Sequence, residues 1–141
     1  MRIVLDTNVL VSGLLSPFGP PGEIVRMVSS GTVTLCLDAR ILSEYREVLA
    51  RPRFGFGVEA VAALLDYLNV ASETAAAEPL SVRLPDPDDE SFLEVALACG
   101  AECVVTGNLA HFPVAARAGV DVLSPAQFVD RYRSRSAGGE A

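Results

Sequence analysis

Lysine is missing from this chain: its eleven cationic side chains are all arginines, set against eighteen acids for a formal net charge of −7. That absence excludes a phosphoryl-accepting receiver domain, which uses a lysine at its last strand to meet the phosphate. The acidic balance also argues against holding nucleic acid by bulk electrostatics, because phosphate contacts need cations. No apolar run approaches the roughly 18 residues that cross a bilayer, and the start lacks the basic residues and long apolar stretch of a signal peptide. A cytoplasmic protein with no membrane partner is expected. Cysteine is scarce. Cys36, Cys99 and Cys103 lie in apolar surroundings without Cys-x-x-Cys spacing, so buried thiols are expected rather than a disulfide framework or a zinc site.

Half of the 141 residues are apolar and about a fifth are charged, which is ordinary globular composition for one domain with one core. Residues 2–5 read as a short buried strand ending at Asp6, and Thr7-Asn8 as the cap of a helix over 9–15. A loop rich in proline and glycine follows over 16–22, then a helix over 22–30 stopped by Gly31. Residues 32–37 are β-branched and apolar, hence a strand. Asp38 caps a helix over 39–50 that Arg51-Pro52 ends. Val61, Leu64, Leu65 and Leu68 give residues 58–68 helical spacing. A short strand is expected near 80–82, and a strong helix runs from Asp88 or Asp89 to Cys99, with Gly100 as its stop. Residues 103–106 form a buried strand and 120–123 an edge strand. Ser124-Pro125 opens a last helix through Tyr132. The domain is expected to occupy residues 1–133, with 134–141 a flexible tail.

Strands alternating with helices imply an α/β domain with a mainly parallel central sheet. Ligands of such sheets sit beyond the carboxyl ends of strands, which directs attention to Asp6, Asp38 and Thr106-Gly107-Asn108. No glycine-rich turn follows the first strand, so a dinucleotide binder is excluded. A phosphatase with an aspartate nucleophile needs a second aspartate two positions on, where Asn8 stands. Acids do gather elsewhere. Glu44 falls about one and a half turns into the helix opened by Asp38, and Asp86, Asp88, Asp89 and Glu90 crowd the start of a later one. Carboxylates sharing one cleft repel each other unless a cation intervenes. Mg²⁺ or Mn²⁺ prefers such oxygen ligands and can activate a phosphodiester toward water.

Four segments, taken in order, carry a resemblance. Ile3-Val4-Leu5-Asp6-Thr7-Asn8-Val9 resembles the start of PIN domains, where a strand delivers the first acid. Leu42-Ser43-Glu44-Tyr45 resembles the family's second-acid helix. Asp86-Pro87-Asp88-Asp89-Glu90-Ser91-Phe92-Leu93 is similar to the segment with its third acid, and Val104-Val105-Thr106-Gly107-Asn108 to its fourth motif. The resemblance covers nearly the whole chain, from about Arg2 to Tyr132. Within the family it points to the VapC-like toxin components of toxin–antitoxin pairs.

This resemblance implies a three-layer α/β/α PIN-like domain and a metal-dependent ribonuclease using Mg²⁺ or Mn²⁺. Its catalytic acids would be Asp6, Glu44 and Asp89, with Asp86 as the substitute for the third. Asp6, Asp89, Glu44 and Asn108 would face the metal, and Thr7, Asn8 and Thr106 would orient them. Asn108 stands where the family usually has an acid and brings no charge, which leaves one-metal and two-metal mechanisms both open. Arg40 and Arg46, with Arg51 and Arg53, are candidates for holding the RNA backbone. His111, the single histidine, can contact substrate or move a proton, although a lone loop histidine is more often a structural group. The partners implied are an RNA substrate, a cognate antitoxin protein and a second copy in a homodimer. The rival expectation is a catalytically weak PIN-like module that binds RNA or protein.

Overall fold

Five strands form one sheet, and in the computed structural model, which describes residues 1–137, all of them run parallel. In chain order the elements are β1 (Arg2–Leu5), α1 (Thr7–Leu15), α2 (Pro20–Ser29), β2 (Thr34–Leu37), α3 (Ala39–Leu49), α4 (Val58–Ala71), β3 (Glu73–Thr74), α5 (Glu90–Cys99), β4 (Cys103–Val105), β5 (Val122–Leu123) and α6 (Pro125–Ala137). The sheet order is β3-β2-β1-β4-β5. Ile3, Val4, Leu5, Cys103, Val104 and Val105 are fully buried, as central parallel strands covered on both faces must be. α5 packs on β1, β2 and β4, α2 packs against α1 and α6, and α3 packs against α4. The expected three-layer α/β/α architecture is borne out.

Topology places the site. The chain leaves β1 toward β2 and leaves β4 toward β5, in opposite directions across the sheet. The carboxyl ends of β1 and β4 therefore flank the switch point where open α/β sheets bind ligands. Leu5 pairs with Val105 in register, which sets Asp6 and Thr106 side by side just beyond the strands.

Local signals were read correctly at several ends. The Asp38 side chain accepts a hydrogen bond from the Ile41 N–H at 3.1 Å and so caps α3, and Gly100 closes α5 at φ +63, a conformation that favours glycine. Elsewhere the structure differs. α2 starts at Pro20 rather than at residue 22, because proline in a first helical turn loses no hydrogen bond. α1 begins at Thr7, with Asp6 at the cap position. Thr7 and Asn8 cannot cap it, since their side chains bond Glu44 and Gly107. α4 and α6 each outrun the expected end. Residues 134–137 of the expected tail are thus helical, and 138–141 lie outside the described residues.

No strand forms at 80–82; the edge strand is β3 instead. Residues 75–85 are held by acids of α5 in place of a sheet partner. Glu94 accepts the Leu80 N–H at 2.9 Å and pairs with Arg40 at 2.7 Å. Glu90 accepts the Leu84 N–H at 3.0 Å and pairs with Arg83 at 3.0 Å. Both glutamates are buried, a placement that is tolerable only with such partners.

The cysteine expectation needs correction. A disulfide joins Cys36 of β2 to Cys99 of α5, with the Cα atoms 6.5 Å apart. Their separation of 63 residues gives no local sequence signal, because the pairing exists only once α5 lies on the sheet. Cys103 alone is the buried thiol expected, and burial pushes its pKa up to about 12.

Replacing Glu94 removes the acceptor for a backbone donor and leaves Arg40 with Asp38 as its acidic partner. Glu94→Ala is expected to lower stability by about 2–3 kcal/mol in urea unfolding, whereas the exposed Glu47→Ala changes it by less than about 0.5 kcal/mol.

Candidate active site

Each acid of the site arrives on a different element. β1 ends in Asp6 because its apolar run stops where the sheet stops. Asp6 is buried, at 7% exposure, and its Oδ2 accepts a hydrogen bond from the Thr106 hydroxyl at 2.7 Å. That hydroxyl in turn accepts the Asn108 N–H at 3.0 Å. Thr106, itself fully buried, thereby couples the ends of β1 and β4. α3 carries Glu44, whose Oε2 accepts a hydrogen bond from the Thr7 hydroxyl. The 3-10 turn Pro87–Asp89 delivers Asp89 at the start of α5, with Asp86 capping that turn through the Asp88 N–H at 2.9 Å.

All three acids hold their protons more tightly than ordinary carboxyls. Burial raises Asp6, opposed by hydrogen bonds from Thr106 and from the Asn8 and Thr7 backbones. Burial is also the largest cause at Glu44, with the Thr7 bond opposing it and the charges of Asp6 and Asp88 adding to it. Asp89 moves furthest, from 3.8 to about 6, through burial and then the charges of Asp6 and Asp86. Those interactions place the acids in one electrostatic neighbourhood. Asp6, Glu44, Asp86, Asp88 and Asp89 line one cleft of about 510 Å³. Among the described residues, the ion pairs leave Asp6 and Glu44 without a cationic partner and give Asp89 only His111.

His111 is not a lone loop histidine. Its Nδ1 lies 3.1 Å from Asp89 Oδ2, and its Nε2 lies 3.0 Å from the Asn108 side-chain nitrogen. With that amide nitrogen as donor, Nε2 accepts and Nδ1 carries the proton that it donates to Asp89. Ligand atoms of Asp86, Asp89 and His111 all lie within 4.8 Å of one another. Asn108 thus sits one residue removed from the acids, on the far side of the imidazole.

The remaining expected residues divide. Asn8 Oδ1 accepts the Gly107 N–H at 3.2 Å, and a Cβ at Gly107 would sit 3.3 Å from that same oxygen. Arg40 is engaged with Asp38 and Glu94 at 2.8 and 2.7 Å, so its charge is already matched. Arg46 is placed away from the acids, in a separate groove with Leu49, Phe56 and Leu65 between α3 and α4. Arg51 and Arg53, from the exit of α3, do line the acidic cleft. Sequence reasoning did not single out Phe54 or Asp88 as cleft residues. The interleaved Arg51-Pro52-Arg53-Phe54 was the available signal for the first.

No curated protein matches the chain. The family model described as PIN domain matches residues 2–110, a span that contains every residue described above from Asp6 to Asn108, with His111 just outside it. With most of its length matched, the chain belongs to the PIN-domain family, whose members are generally nucleases that use divalent metal ions.

Proposed function

We propose that this chain is a metal-dependent endoribonuclease that hydrolyses RNA phosphodiester bonds, serving as the toxin of a toxin–antitoxin pair. One observation carries the reading: Asp6, Glu44 and Asp89 converge on one cleft with all three proton affinities raised and no arginine paired to them among the described residues. Such a centre is short of positive charge. Arg51 and Arg53 line the cleft without an ion pair to these three acids among the described residues, and Arg83 and Arg40 are paired with Glu90, Glu94 and Asp38.

The donor set fits a hard divalent cation, because it consists of carboxylate oxygens from three elements with an imidazole beside them. Asp6, Asp89 and Glu44 would hold Mg²⁺ or Mn²⁺, with Asp86 the next acid at hand. When bound, the ion supplies charge neutralisation and Lewis acidity toward a phosphodiester. The side chains around it have separate tasks. Thr106 fixes the Asp6 rotamer and Thr7 fixes that of Glu44, so the carboxylates need no reorganisation during reaction. His111 holds a proton at Nδ1 toward Asp89, and Asn108 acts through His111. Arg51 takes a phosphate flanking the scissile bond.

The antitoxin and a homodimer belong to this reading through the family resemblance. The exposed apolar side chains Leu15, at the end of α1, and Phe18, just beyond it, are the first surface on which to seek either. The catalytically weak binding module is favoured by one feature, the uncharged Asn108 at the fourth position. Cleavage of a labelled RNA with Mn²⁺ separates the two. The enzyme shows metal-dependent cleavage that Asp6→Asn reduces by about 100-fold or more. A binding module shows no cleavage in the wild type.

The raised carboxyl of Asp89 has two consequences with a definite sign. The folded state binds its proton more tightly than the unfolded chain does. The stability it contributes is therefore complete below the ordinary value of 3.8 and is lost as pH rises through about 6. In EDTA at pH 7, Asp89→Asn is expected to raise the thermal midpoint, by about 3–5 °C for roughly 1 kcal/mol. Millimolar Mn²⁺ should raise the midpoint of the wild type more than that of the variant. The second consequence concerns activity, since protons and cation compete for Asp89. At subsaturating Mn²⁺ cleavage should fall as pH drops below about 6, with the fall moving to lower pH as Mn²⁺ is raised. A rate at subsaturating Mn²⁺ that is flat from pH 5 to 8 would contradict this assignment.

A further inference from the structure

The cleft has two kinds of lining. Acids form one part, while Val11, Leu15, Val48, Arg51, Arg53 and Phe54 form another. A hydrated cation, with about six waters of roughly 30 Å³ each, fills less than half of the 510 Å³ present. The volume instead suits a small organic ligand, in the range ~300–1,000 Å³.

The turn after α3 builds this second part. The chain makes one 3-10 turn over Pro52–Phe54 and reverses at Gly55, whose φ of +66 is open to glycine at no steric cost. The reversal brings Phe56 back onto Phe54, with ring centroids 5.8 Å apart and planes 26° from parallel. Arg53 lays its guanidinium 4.8 Å from the Phe54 ring centre, inside the distance of a cation–π contact. Phe54 is half-buried and Arg53 exposed. Among the described residues Arg51 makes an exposed ion pair with Glu47 at 3.3 Å, which is weak enough to yield to a phosphate.

A metal ion makes no use of an aromatic ring or a stacked guanidinium. A nucleotide uses both, together with the acids. We infer that Arg53 and Phe54 form the seat of an unpaired nucleobase beside the scissile phosphate, with Arg51 on the flanking backbone. Aromatic rings and guanidinium planes hold bases by stacking, with little regard to base identity. The seat is thus a positioning device rather than a reader of sequence. It rests on RNA being the substrate.

The test uses the full chain carrying Asp6→Asn, so that RNA is bound without being cut, and a single-stranded oligonucleotide containing 2-aminopurine. Adding Phe54→Leu, which keeps the apolar bulk, is expected to weaken binding about tenfold and to abolish the stacking quench of the probe, whereas Phe54→Trp retains both. With Asp6 intact, Phe54→Leu should raise KM about tenfold and leave kcat within about threefold. Duplex RNA, whose bases are already stacked, should bind the Leu variant and its parent alike. Unchanged affinity and quench in a Phe54→Leu protein with a native circular dichroism spectrum would overturn the seat and leave the ribonuclease reading standing. A wild type that neither binds nor cleaves RNA would overturn both.

Discussion

Asp6 is a carboxylate buried where β1 runs out, and everything at the site follows from keeping it there among like charges. Removing a carboxylate from water is expensive, and a second one nearby makes it more so. The fold meets Asp6 with hydroxyl and amide dipoles, from Thr106, Asn8 and Thr7, and not with an arginine. Dipoles orient the group and offset part of the desolvation. They add no positive charge to the cleft, where Arg51 and Arg53 stand against five acids.

The contrast lies on a single helix. Asp89, Glu90 and Glu94 all belong to the opening or the body of α5, and all are buried. Glu90 and Glu94 each have an arginine and a backbone N–H, and they act as staples for residues 75–85. Among the described residues Asp89 has the His111 imidazole and no arginine, and its pKa rises while those staples stay paired. Residue type does not separate the acids that staple the chain from the acid that lines the cleft; the partner does. The same comparison removes Arg40 from the group of free substrate contacts and brings Arg51 and Arg53 forward.

Much of this was legible in the sequence, because strand ends and helix caps are local. The buried run ending at Asp6, the Asp38 cap and the Gly100 stop placed two of the acids on the correct elements before any distance was known. What was not legible depends on contacts between distant segments. The strand expected at 80–82 is a strap because buried glutamates of α5, read only as helix residues, claim its N–H groups. His111 acquires its role from an aspartate 22 positions away. The groove that holds Arg46 and the cleft that holds Arg51 are reached from one helix and its exit turn, and only the packing of α4 separates them.

The bond between Cys36 and Cys99 closes a ring of chain that contains α3, α4, the strap and the turn leading into α5. Glu44 and Asp89 lie inside that ring, while Asp6 and Thr106 lie outside it. Closing so long a loop removes many conformations from the unfolded ensemble. The oxidised chain consequently begins with two of its acids already confined to a shared neighbourhood, and β1 has only the third to bring to them.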